Sequence, residues 1–141
     1  MDKKKHLINN LKNDIYCRIG VSKLHGVGVL AIKDIPKNTD PFKLPNNKSI
    51  KYHIIDLTKK DIEKLNSDVK TLLSDFVGNK KGDRFAVPEL GLNMLDISFY
   101  MNHSNDNNIG LVEDTGEYAT FITLRNIKKG EELTLNYNDY D

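Results

Sequence analysis

The chain has 141 residues, 38% of them hydrophobic, and a formal net charge of +1 from 21 Lys and Arg against 20 Asp and Glu. That size fits one domain with a modest core, and the charge balance supplies no global field to steer nucleic acid, so no direct nucleic-acid binding is expected. Cys17 is the sole cysteine, which excludes an intrachain disulfide framework and a cysteine-built zinc site.

No run approaches the roughly 18 apolar residues of a membrane helix. The first five residues lead into charge and Asn9-Asn10 rather than a signal-peptide core. The expectation is an intracellular, soluble protein with no membrane partner and no metal.

Residues 1–13 are polar and lysine-rich, an N-terminal arm or a frayed helix. Residues 15–21 and 27–32 are rich in β-formers and flank a turn at 23–26, which predicts a hairpin. Two segments 92 residues apart, 31–38 and 123–130, then resemble each other. Each reads as strand, tight turn, strand, with Asn38 and Gly130 at the position where a left-handed residue would make a bulge. One hairpin design would serve both halves.

Residues 58–76 place Ile62, Leu65, Val69, Leu72, Leu73 and Phe76 on one helical stripe. Thr58 and Asp61 form a capping-box pattern at its start and Gly78-Asn79 stops it, so the segment reads as one helix serving as scaffold. A short strand follows at 85–87, then a helical turn at 97–101, a polar loop at 102–108, and strands at 109–112, 117–124 and 132–137. The pattern is a mostly β single domain over 1–141, with a variable insert at about 45–95 that carries one α-helix near 58–76.

Three stretches carry chemistry. Gly26-Val27-Gly28 sits at the tip of the first hairpin, where missing side chains let a ligand approach backbone N–H groups, although taken alone it is an ordinary turn. Tyr100-Met101-Asn102-His103-Ser104 offers a histidine as base, metal ligand or network member. His6, His25 and His53 lack ligand spacing to it, and Ser104 lacks a nucleophile-elbow setting. Gly130-Glu131-Glu132-Leu133-Thr134-Leu135-Asn136-Tyr137 reads as an edge hairpin that delivers a tyrosine to its end.

In that order the three stretches, together with the run from Gly26 through Ile35-Pro36-Lys37, resemble the SET-domain family of protein lysine methyltransferases. The chain is similar to its short stand-alone viral and bacterial members, which lack cysteine-rich flanks. The resemblance implies a β-clip SET fold of several small sheets with a C-terminal pseudoknot. It implies S-adenosylmethionine as methyl donor, with S-adenosylhomocysteine as product, held by Gly26, Val27, Gly28, Tyr100, Asn102, His103 and Tyr137. Tyr137 would be the active-site tyrosine. The substrate would be a lysine of a histone or another protein, entering a channel walled by Tyr140, Phe42 and Tyr52, and a histone substrate would place the protein in the nucleus or at host chromatin. A catalytically weak SET-like module that binds a peptide or partner protein is the alternative.

The sequence departs from the family in four places. Asn105 and Asn107 stand where relatives carry Cys and Pro, with Asn108 retained, and Asn136 stands where Asp often precedes the tyrosine. Residues 40–45 replace the strand that usually bears a channel aromatic. Four residues follow Tyr137, too few for the zinc-bearing segment that closes the channel in many relatives, so the missing wall is expected from a second subunit, the short acidic tail or the inserted helix, with a homodimer favoured.

Overall fold

The structure, a computed structural model, describes residues 2–50, 53–79, 81–112 and 120–140, with residues 139 and 140 described in their backbone alone. The β-formers of the first half pair as β1 (Cys17–Val21) and β2 (Val27–Ala31), antiparallel, with Cys17 opposite Ala31 and Val21 opposite Val27. β2 turns Val29 and Ala31 into the core at 0% and 3% exposure. It also pairs antiparallel with β8 (Glu132–Leu135), whose Leu133 and Leu135 are buried. On its other side β8 runs parallel to β5 (Asn102–His103), so the four-stranded sheet has the order β1-β2-β8-β5. The C-terminal strand is thereby wedged between the first hairpin and the Asn-His segment. This is how residues far apart in the chain reach one place.

Two further sheets are hairpin-like pairs: β3 (Ile54–Thr58) with β4 (Arg84–Pro88), and β6 (Ile109–Val112) with β7 (Thr120–Thr123). The similarity between 31–38 and 123–130 has a three-dimensional meaning beyond shared local geometry, because the two copies clasp each other. Lys37 N–H donates to Asn126 Oδ1 at 2.8 Å, and its counterpart Lys129 N–H donates to Asp34 Oδ1 at 2.9 Å. Asn38 N–H reaches Thr123 O at 2.9 Å while Gly130 N–H reaches Ala31 O at 2.8 Å. Asn38 and Gly130 both take positive φ, 64° and 93°, as their residue types predict. Each segment makes a single bridge where the sequence suggests a second full strand.

The N-terminal residues form a helix, α1 (Lys3–Asn13), capped by Asp2. Its inward position is Asn10, whose amide donates to Lys43 O at 2.9 Å, whereas Leu7, Ile8 and Leu11 are exposed. The insert helix expected over 58–76 is two helices, α2 (Lys59–Ile62) and α3 (Ser67–Phe76). The expected capping box forms, with Thr58 N–H on Asp61 Oδ2 at 2.8 Å and Asp61 N–H on Thr58 Oγ1 at 3.3 Å. The break has a cause legible in retrospect: Asn66 is a second N-cap, its side chain accepting from Asp68 N–H at 2.7 Å, and Asn-Ser competes with helix backbone for such bonds. In consequence the expected stripe is split. Ile62 and Leu73 are buried with Val77 and Phe85 in a satellite core, while Leu65, Val69 and Leu72 stay exposed.

The main core gathers Val29, Ile35, Met101, Ile109, Phe121, Ile127, Leu133 and Leu135 between the sheets. Phe42 belongs to it, buried with its ring edge-on to Phe121 at 5.7 Å, which corrects its expected place in a substrate channel. The 40–45 segment spends its aromatic on packing. Tyr52 lies outside the described residues, and so does the side chain of Tyr140, whose backbone closes a 3₁₀ turn over Tyr137–Tyr140. Among the described residues no helix is long and apolar enough to cross a membrane.

Candidate active site

The site is built on Asn102, at the start of β5. Its side-chain Nδ2 has four acceptors within reach: Ser22 Oγ at 3.1 Å, His25 O at 3.0 Å, Val27 O at 2.9 Å and Glu132 Oε2 at 2.9 Å. Four acceptors around one amide nitrogen fix which way the amide faces. Ser22 completes the cluster by donating its hydroxyl to Glu132 Oε1 at 2.7 Å, while its own Oγ accepts Leu24 N–H at 2.9 Å and His25 N–H at 3.1 Å. The turn between β1 and β2 is thus shaped by a serine and tied to β5 and β8 through one asparagine and one glutamate. Gly26 takes φ 53° there and has open space around it, as a turn glycine approached by a ligand requires.

Gly28 plays a different part from the one expected. A Cβ at this position would collide with the Glu132 carboxylate and stand 3.0 Å from Asn102 Nδ2. Its missing side chain makes room for the Glu132 carboxylate where Asn102 binds it, and Gly28 itself does not line the cavity. Glu132 and Ser22 are the functional residues that sequence reasoning missed. Glu132 lies inside the Gly-Glu-Glu stretch, but nothing in the sequence distinguishes an inward acid from a solvated one before β8 is placed.

Tyr137 follows β8. Its hydroxyl donates to Met101 O at 2.5 Å, and its backbone N–H donates to His103 Nδ1 at 3.0 Å. Burial raises the pKa of the phenol above its ordinary value, and the negative charge of Glu132 adds to the shift. The group is therefore a neutral O–H at physiological pH. The ring stands 5.3 Å from that of His103.

These groups meet at one cavity of about 420 Å³, within the roughly 300–1,000 Å³ typical of small-molecule sites. Gly26, Val27, Tyr100, Asn102, His103 and Tyr137 line it together. Its apolar walls are Leu24, Phe76, Phe99 and Met101, with the Phe76 and Tyr100 rings 5.4 Å apart in an edge contact. Phe76 and Asp75 come from the end of α3, so that helix is more than scaffold.

The donor set can be tested against S-adenosylmethionine. His25, Val27 and Asn102, whose carbonyl and amide groups gather at the cavity lining, suit an ammonium group. Aromatic and aliphatic walls suit a planar nucleoside base. The residues present fit such a ligand.

A family model, the SET domain, matches residues 26–138. One solved structure, described as a candidate histone methyltransferase of Plasmodium falciparum, is similar at 20% identity, over 87% of this chain and 93% of that one, with a TM-score of 0.49. No curated protein sequence matches the chain.

Proposed function

The chain belongs to the SET-domain family, a family of methyltransferases, and we propose that it transfers the methyl group of S-adenosylmethionine to a lysine side-chain amine of a histone or another protein. The observation that carries this reading is the convergence of Asn102, His103 and Tyr137 on one cavity, with the tyrosine held at both its hydroxyl and its backbone N–H.

When bound, S-adenosylmethionine supplies a methyl group on a positively charged sulfur. Asn102 and the neighbouring carbonyls of His25 and Val27 would hold its ammonium end, beside Gly26 in the cavity lining. His103 and the ring pair of Phe76 and Tyr100 border the apolar part of the cavity. Tyr137 spends its proton on Met101 O, so its oxygen is left with acceptor lone pairs that orient an incoming amine. The raised pKa of the phenol argues against a role as base. A free lysine has a pKa of about 10.4, and exposing its neutral form at pH 7 costs roughly 4.6 kcal/mol. Desolvation and repulsion by a neighbouring cation lower that cost without a dedicated base. Holding the amine in line with the methyl carbon contributes several kcal/mol more.

Calorimetry with S-adenosylmethionine, followed by labelled methyl transfer to histones and lysate proteins, tests the reading. The expected result is binding, transfer to lysine, and a roughly tenfold or greater loss of cofactor affinity in Asn102→Ala. Binding without transfer would assign the chain to the peptide-binding alternative. No binding of S-adenosylmethionine would overturn the methyltransferase reading.

A further inference from the structure

We propose that Asn105 is a positioning residue that acts on Tyr137 by fixing the tautomer of His103; only its kinetic consequence rests on the methyltransferase reading. His103 Nδ1 accepts the backbone N–H of Tyr137 at 3.0 Å. A backbone N–H can only donate, so Nδ1 carries a lone pair and the ring proton belongs on Nε2. Nε2 in turn faces Asn105 Oδ1 at 3.1 Å. Both ring nitrogens are satisfied in this tautomer. In the other tautomer Nδ1–H would oppose Tyr137 N–H, and the imidazolium would do the same.

An amide oxygen is a good acceptor for Nε2–H. Asn105 sits in a loop held by Asp106 N–H on Ser104 Oγ at 3.1 Å, and Ser104 N–H on Leu135 O at 2.8 Å ties that loop to β8. The chain of contacts therefore runs from Asn105 through the imidazole to the residue whose hydroxyl points at Met101 O. Titratable groups around His103 are Tyr137 from the C-terminal turn, His25 from the hairpin, Asp75 from α3 and Tyr100 beside the cavity, with Asp106 in its own loop.

The test compares wild type with Asn105→Leu and Asn105→Asp in the full chain. Asn105 is exposed, so neither change empties the core. Nitrogen-15 NMR of the His103 ring is expected to show the Nε2–H tautomer in wild type and, in Asn105→Leu, a mixture as the unheld ring rotates away from Tyr137 N–H. That variant should lose roughly tenfold in kcat, the worth of one positioning hydrogen bond, with cofactor affinity unchanged. Asn105→Asp keeps the acceptor and should restore kcat at alkaline pH, while its acid limb moves to higher pH because a carboxylate stabilises the imidazolium. An Nδ1–H tautomer in wild type, or an unaltered tautomer in Asn105→Leu, would overturn the proposal. Absence of methyl transfer in wild type would refute the methyltransferase reading and leave the NMR result to decide this one.

Discussion

Ile35 and Ile127 hydrogen-bond each other in both directions, N–H to carbonyl, at 2.7 Å and 2.9 Å, and each is 1% exposed. They occupy equivalent positions in the two segments that resemble each other along the chain, so the similarity reports a pseudo-two-fold contact at the centre of the main core. A reciprocally bonded antiparallel pair points both side chains to the same face, where they are neighbours. Replacing either by Ala should cost about 2–4 kcal/mol. The double variant should cost less than the sum, since the two changes open one shared cavity. Urea denaturation of the four proteins measures this; strict additivity would show that the side chains do not meet.

Asn108 is the clasp beneath the site. It is 2% exposed, donates its amide to Glu132 O at 2.9 Å and accepts Thr134 N–H at 2.9 Å, which pins one backbone edge of β8 at two points. Asn108→Ala leaves a carbonyl and an N–H unpaired in a buried place and should lower stability by about 2–4 kcal/mol. Faster amide exchange at Thr134 would accompany the loss. A change below about 1 kcal/mol in a denaturant titration would mean that water replaces the side chain at no cost.

Tyr137 should ionise late. Burial and the Glu132 charge both raise its pKa, so the unfolded chain ionises first as pH climbs past the ordinary tyrosine range, while the native chain keeps its proton. The stabilisation is present below that range and is lost as pH rises through the native value. Ultraviolet difference absorbance should show a component titrating above the ordinary tyrosine range. Tyr137→Phe should delete that component, and Glu132→Gln should shift it downward; titration at the ordinary value would contradict the placement.

Cys17 is held as a thiol. Burial pushes its pKa up to about 12, and its Sγ–H approaches Pro41 O at 3.7 Å. At pH 8 it should resist alkylation in the native protein and react once denaturant is added, because the thiolate is the nucleophile. Stability should also fall as pH rises from the ordinary thiol range towards that value, since only the unfolded chain ionises there. Rapid native-state labelling, followed by mass spectrometry, would exclude this burial.

How much of this was legible in the sequence depends on the range of the interaction. Local chemistry was readable: the Thr58-Asp61 capping box, the positive φ of Asn38 and Gly130, and the hairpin on either side of the Gly26 turn each depend on residues a few positions apart. The family followed from motif order, and with it the convergence of Gly26, Asn102 and Tyr137. What Gly28, Phe42 and Phe76 do was decided by tertiary structure alone. Gly28 must be small because Glu132, 104 positions along the chain, arrives beside it, and Phe42 is a core residue because Phe121 meets its ring. A sequence states which side chains are available and what backbone each favours locally. Which of them share a cavity is fixed when β8 enters between β2 and β5, a pairing whose partners have no local signal.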